Sequence, residues 1–189
     1  MKIAIAGSGA LGSGFGAKLF QNGYDVTLID SWESHVKAIQ TNGLHIDING
    51  EHCHLEIPMY DSREIPEDVL YDVVFLFPKS MQLKEVLDYI QPHITQSTIV
   101  VCTMNGLKHE RLIEQYVELP QIVRGVTTWH AGIESPGCTH LMGSGPVEVG
   151  ALVTDGTANV KTVVDILNRA ELNGVLSNDC LLYTSPSPR

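Results

Sequence analysis

From the first residue, short apolar runs alternate with segments whose apolar residues recur every three or four positions. Lys2 to Ala6 reads as a strand, and Leu11, Phe15, Leu19 and Phe20 then share one helical face until Asn22-Gly23 stops it. Val26 to Ile29 predicts a second strand ending at Asp30, and Val36 and Ile39 mark a helix that closes at Asn42-Gly43. Leu44 to Ile48 and His52 to Ile57 alternate on either side of Asn49-Gly50, a hairpin signal. Pro58 to Pro66 reads as a loop. A buried strand follows at Val73 to Phe77, then a helix from about Ser80 to Ile90 ended by Pro92. Thr98 to Cys102 predicts another strand, Leu112, Ile113 and Tyr116 a helix, and Ile122 to Thr128 one more strand. Ser135-Pro136-Gly137 and Gly143-Ser144-Gly145-Pro146 punctuate two short strand-like stretches before a last helix from Val160 to Leu167.

Such alternation predicts an α/β fold: a Rossmann-type, doubly wound, mainly parallel sheet with an added hairpin. Residues 1–178 are expected to form this one domain, and residues 179–189 a tail. Ligands of doubly wound sheets sit at the carboxyl ends of the strands. Gly7, Asp30, Lys79, Asn105 and Thr128 all fall at such ends.

Composition narrows the class further. The 189 residues suit one domain, or one domain and part of another. The longest apolar runs are strand-length, too short for a membrane span. Met1 to Gly7 carries one basic residue and reaches glycine too early for a signal peptide. A formal charge of −10 argues against nucleic acid or an anionic membrane as the main partner. It leaves room for a small anion in a local basic pocket. Cys53, Cys102, Cys138 and Cys180 contain no C-x-x-C pair and suit reduced thiols, so a cytoplasmic location is expected.

Candidate chemistry concentrates at the first turn. Gly7-Ser8-Gly9-Ala10-Leu11-Gly12 is G-x-G-x-x-G, directly after a strand and opening a helix, with an acid further on at Asp30. Gly7 permits the tight turn, Gly9 lets backbone N–H groups approach a pyrophosphate, and Gly12 allows close helix–strand packing. Asp30 would hydrogen-bond the adenosine ribose and repel a 2′-phosphate. Asp30-Ser31-Trp32-Glu33 equally reads as a capping box, and the two roles are compatible. Lys79, at the tip of the Val73 to Phe77 strand, is either a solvated loop lysine or a cofactor contact. Asn105, in T-M-N-G-L, either contacts the nicotinamide ribose or caps a helix. His52-Cys53-His54 puts both histidines on one strand face and the thiol on the other, so a metal site is not expected.

Taken together, M-K-I-A-I-A-G-S-G-A-L-G, F-P-K-S-M-Q, M-N-G-L, G-V-T-T-W-H-A and H-L-M-G-S-G resemble the N-terminal domain of the ketopantoate reductase family (2-dehydropantoate 2-reductases). The match runs from Met1 to about Asp179. The first motif is shared by many dehydrogenases; the later ones, in this order, are far more specific. The resemblance implies NAD(P)H-dependent reduction of a 2-keto acid, ketopantoate to D-pantoate in pantothenate biosynthesis. It also implies that the Gly7–Gly12 loop, Lys79, Asn105 and Ala131 contact the cofactor, and it leaves a homodimer open.

Two departures qualify what carries over. NADPH-using members place a basic residue just after the second strand, where this chain has Asp30-Ser31-Trp32. NADPH is therefore expected from the family, while Asp30 favours NADH, as in relatives that act as NAD-dependent D-2-hydroxyacid dehydrogenases. The family's catalytic lysine lies beyond this domain in a W-x-K-L-x-x-N segment that the chain lacks, so no catalytic residue is assigned. The terminal C-L-L-Y-T-S-P-S-P-R has no helical period. It reads as translated adapter sequence on an interrupted gene rather than a native disordered end. The expectation is thus a cofactor domain of a reductase, itself inactive toward keto acids. A non-catalytic, redox-sensing dinucleotide module is the alternative from another class, disfavoured by the lack of a basic patch.

Overall fold

The computed structural model describes residues 1–104 and 109–177. In chain order the first part holds β1 (Lys2–Ala6), α1 (Ala10–Gln21), β2 (Asp25–Asp30), α2 (Glu33–Asn42), β3 (Leu44–Ile48), β4 (Glu51–Leu55), β5 (Met59–Asp61) and β6 (Val73–Leu76). Then come α3 (Leu83–Ile90), β7 (Ile99–Cys102), α4 (His109–Ile113), β8 (Ile122–Thr127), β9 (His130–Ser135), β10 (Cys138–Met142), β11 (Val147–Ala151), α5 (Thr157–Arg169) and β12 (Gly174–Leu176).

Eight strands form the main sheet in the order β12-β11-β8-β7-β6-β1-β2-β5. The six from β8 to β5 are parallel; β11 turns antiparallel to β8, and β12 runs parallel to β11. A central parallel strand is covered on both faces, which is why residues 3–6 of β1 and the whole of β6 are unbroken apolar runs. Successive side chains of β1 feed different cores. Ile3 and Ile5 pack with Phe15 and Leu28, while Ala4 and Ala6 pack with Leu76, Leu83, Leu87 and Ile90 of the β6–α3 side.

The hairpin forms as its pattern predicts. Asn49 (φ 53°) and Gly50 (φ 91°) both take positive φ, as a two-residue type I′ turn requires. It is not isolated, however. β10 pairs parallel with β3, and β9 pairs antiparallel with β10, giving a second sheet ordered β4-β3-β10-β9. Helix α1 touches both sheets, and glycine makes this possible. A Cβ on Gly14 would stand 2.8 Å from Leu141 Cδ1 of β10, and one on Gly16 would stand 2.5 Å from Leu28 Cδ2 of β2.

Several expectations change in detail. The Pro58–Pro66 loop contains β5, which extends the sheet beside β2 but is too short and proline-flanked to show a period. The helix after Lys79 begins as a 3-10 turn, Ser80–Gln82; it ends at Ile90 as expected, and Pro92 lies in the 3-10 turn Gln91–His93 that follows. Helix α4 stops at Ile113; Tyr116 lies past it, its hydroxyl donating to Asp88 Oδ1 at 2.6 Å. The expected tail at 179–189 lies outside the described residues. On the hairpin, His52 approaches Asp47 at 3.3 Å, and His54 stacks on His45 and meets the Asn42 carbonyl at 2.8 Å. Among the described residues no three metal-ligating side chains converge.

Candidate functional site

The β1–α1 turn is clamped from below. The Gly7 and Ser8 N–H groups both donate to the Ile29 carbonyl, at 2.9 and 3.1 Å. The Ser8 hydroxyl is buried; it donates to the Ile5 carbonyl at 2.8 Å and accepts from the Ile29 N–H at 2.9 Å. The loop is thereby tied to both β1 and β2. Gly7 sits at φ +89°, and a Cβ there would lie 2.7 Å from the Pro78 nitrogen at the end of β6. A Cβ on Gly12 would collide with the Gly7 carbonyl oxygen. Gly9 differs: a Cβ there meets no atom within 4 Å.

Gly9 is also the N-cap of α1, and no side chain caps that end. The first-turn N–H groups therefore lack side-chain acceptors and carry the positive end of a twelve-residue helix. They face a cleft of about 500 Å³ at the carboxyl ends of β1, β2 and β6. Its floor is Gly7, Gly9 and Ala10; Asp30 and Trp32 stand on one side, and Lys79 and Tyr89 on the other. A larger hollow of about 730 Å³ lies at the amino end of β7 and β8, among Thr95, Glu114 and Tyr116. No lysine or arginine lines it, and it is remote from the glycine turn.

Asp30 is the last residue of β2, paired with Asp61 of β5. Its Oδ1 accepts from the Trp32 N–H at 2.9 Å, forming a tight local turn. Helix α2 starts after Trp32, its N-cap, so the capping box expected at Asp30 does not form. Asp30 is still a strand residue, and the turn it nucleates delays the helix by two positions. Its second oxygen has no protein partner among the described residues. Lys79 is exposed and makes no ion pair among them.

Two nearby cations are already engaged. Lys37 bonds Glu33 at 2.6 Å, and Arg63 grips the nearly buried Asp61 in two-point fashion at 2.8 and 2.7 Å. The Arg63 side-chain hydrogen bonds hold the Asp61 carboxyl at about 2, below its usual 3.8. A depressed carboxylate pKa stabilises the fold above the unfolded value and loses that contribution as pH falls through about 2. Arg63→Ala is accordingly expected to lower the thermal midpoint by a few degrees at neutral pH. The gap from the wild type should close as pH drops from about 4 toward 2, which scanning calorimetry across that range would check.

Of the residues singled out from the sequence, Gly7, Gly9, Ala10, Asp30 and Lys79 meet at the cleft. Ser8 and Gly12 are buried behind it, and Leu11 packs on the core. Ala131, on β9, pairs with Leu141 of β10 and is not among the residues lining the cleft; Ile133, two residues on, is. Asn105 lies outside the described residues. Sequence reading missed Trp32 and Tyr89 as cleft residues. Trp32 is 41% exposed, with one face stacked on His35 at 5.0 Å, and its place beside Asp30 was the available signal. The Tyr89 hydroxyl is buried without a hydrogen-bond partner among the described residues. Burial, helped by the Asp30 charge, pushes its pKa up, so it stays protonated. Nothing in its helical spacing announced that position.

Comparison with known proteins bears on this geometry. Residues 3–154 match the family described as ketopantoate reductase PanE/ApbA. A 2-dehydropantoate 2-reductase of Lactococcus lactis subsp. lactis is 42% identical over 179 residues, which is 95% of this chain and 57% of that protein. One from Streptococcus pyogenes serotype M1 is 39% identical over 92% of the chain and 55% of its own length. A solved D-mandelate dehydrogenase with NADH and anilino(oxo)acetate superposes with a TM-score of 0.92 at 41% identity, covering 95% of this chain and 58% of that one. The chain thus spans little more than half the length of the relatives it matches.

Proposed function

We propose, since this chain belongs to the ketopantoate reductase PanE/ApbA family, that it is the dinucleotide-binding part of an NAD(P)H-dependent 2-keto acid reductase. The observation that carries the reading is the open space above Gly9, set against an uncapped helix start. A pyrophosphate fits there because no Cβ intrudes and the first-turn N–H groups await acceptors. Asp30 would accept from the adenosine ribose hydroxyls through its unpaired oxygen, leaving the other in its turn to Trp32. The exposed remainder of the Trp32 indole offers an aromatic surface to adenine. Lys79 would bring its ammonium to the phosphate–ribose edge from the opposite wall.

When bound, the nicotinamide ring supplies the hydride. Reducing a ketone builds negative charge on its oxygen, which needs a donor. Among the described cleft residues the only ammonium is Lys79, which lies beside the glycine turn. The substrate-side chemistry is therefore assigned to the part of the relatives' length that this chain does not span. Ketopantoate is the favoured substrate of the whole protein. A D-2-hydroxyacid dehydrogenase of the D-mandelate type is the second reading, supported by Asp30 and by the NADH-bound D-mandelate dehydrogenase structure.

Titration with NADH, followed through quenching of tryptophan emission, tests the binding reading. Saturable quenching is expected from the wild type. Lys79→Ala should weaken binding about tenfold while leaving the thermal midpoint nearly unchanged, because surface changes without contacts cost within about 0.5 kcal/mol. Equal affinity in the mutant would return Lys79 to the status of a solvated loop residue. No quenching by NADH or NADPH in the wild type would overturn the reading itself.

A further inference from the structure

We propose that His35 is a positioning residue for the glycine-rich turn, holding the Ser8–Gly9 peptide so that the Gly9 N–H faces the ligand. The inference rests on the dinucleotide reading above.

His35, on α2, is fully buried and makes contacts with three separate elements. Its Nδ1 accepts from the Gly137 N–H at 3.1 Å, in the turn between β9 and β10. Its Nε2 lies 3.1 Å from the Ser8 carbonyl oxygen and 3.3 Å from the Ser13 hydroxyl of α1. A backbone N–H can only donate, so Nδ1 must be bare and Nε2 must carry the proton. The imidazole is then neutral, and Nε2–H donates to Ser8. The Ser13 hydroxyl donates to the same carbonyl at 2.8 Å.

Two donors therefore pull the Ser8 carbonyl inward. The chain contains no cis peptide among its described residues, and in a planar trans unit C=O and N–H point in opposite directions. Drawing the Ser8 oxygen into the interior turns the Gly9 N–H outward, to the side where Gly9 is open. That N–H donates to no backbone acceptor among the described residues. Trp32 stacks on the ring with an interplanar angle of 7° and limits its tilt.

The arrangement tolerates only the neutral ring. Protonation would place an Nδ1–H against the Gly137 N–H, donor to donor. The charged group that faces the ring is Asp30 on β2, while α1 presents a hydroxyl and the β9–β10 turn a backbone amide. Burial lowers the His35 pKa, with Asp30 opposing it. A histidine with a lowered folded pKa contributes most above its unfolded value. That contribution declines as pH falls from about 6.5 toward the folded value.

The test is NADH affinity of the wild type, His35→Gln and Ser13→Ala from about pH 8 to 5.5, with thermal midpoints measured alongside. At neutral pH His35→Gln should bind about tenfold more weakly and Ser13→Ala a few-fold more weakly. The wild-type dissociation constant should rise severalfold at the acidic end, and the His35→Gln profile should lose that rise. A merely structural histidine would lower the midpoint without altering the pH profile of binding. A rise retained in His35→Gln, or His35→Gln binding NADH as tightly as the wild type at neutral pH, would overturn the inference alone. Failure of the wild type to bind NADH at every pH would remove the dinucleotide reading and this inference together.

Discussion

Gly9→Ala is expected to abolish dinucleotide binding while leaving the ligand-free protein as stable as before, and Gly12→Ala to damage both. Gly9 has φ −65°, which alanine adopts freely, and its Cβ would enter empty space. Alanine is a poorer N-cap than glycine, but it also narrows the unfolded ensemble by about 0.4–1 kcal/mol, so the terms nearly cancel. The methyl group would instead occupy the place of a phosphate oxygen. At Gly12 alanine gains roughly 0.5–1 kcal/mol of helix propensity. Its Cβ would strike the Gly7 carbonyl and stand 3.1 Å from Ile5 Cγ2. The first contact is backbone and cannot swing away, so overpacking of about 1–3 kcal/mol should prevail. Calorimetry and NADH titration on the two variants separate these outcomes. A destabilised Gly9→Ala with intact binding would mean that the open space is not the ligand's.

The second large effect is cofactor choice: NADH should bind at least about tenfold more tightly than NADPH, about 1.4 kcal/mol. A 2′-phosphate placed on the ribose would meet the Asp30 carboxylate. On the α2 and β5 side of Asp30 the cations are neutralised where they stand, Lys37 by Glu33 and Arg63 by Asp61. Freeing either would cost its existing partner. Asp30→Asn keeps an acceptor for the Trp32 N–H while removing the charge, so it should bring the two affinities close together. The discrimination should also shrink at high salt, because these groups are partly exposed. NADPH binding tenfold more tightly to the wild type would leave Asp30 a turn-forming residue and nothing more.

What could be read ahead of the structure follows from what carries information locally. The glycine turn was legible because each of its three glycines answers a different short-range constraint, and the structure gives Gly7, Gly9 and Gly12 those separate surroundings. Asn49-Gly50 was legible because a type I′ turn admits few other pairs. The second sheet was not, because pairing between β3 and β10 depends on residues far apart in the chain and leaves no period in either. Asp30 shows the limit of a motif: the capping-box letters are present, but pairing with β5 keeps the residue in the sheet. Ala131 was reached through family resemblance alone; it stands on β9, the strand whose Ile133 lines the cleft.

The wiring of that second sheet also orders events during synthesis. The Asn49 side chain accepts from the Gly143 N–H across 94 residues, and His35 receives the Gly137 N–H across 102. Contacts so distant must wait for the intervening chain, since ribosomes deliver roughly 5–20 residues per second. A nascent chain that has released β1, α1, β2 and α2 can shape the glycine turn, yet the Gly137 N–H that fixes His35 behind it emerges several seconds later. During that interval the exposed edge of β3 has no partner on the side that β10 will occupy. Until β10 is made, the β3 edge is thus the part of the second sheet most in need of shielding.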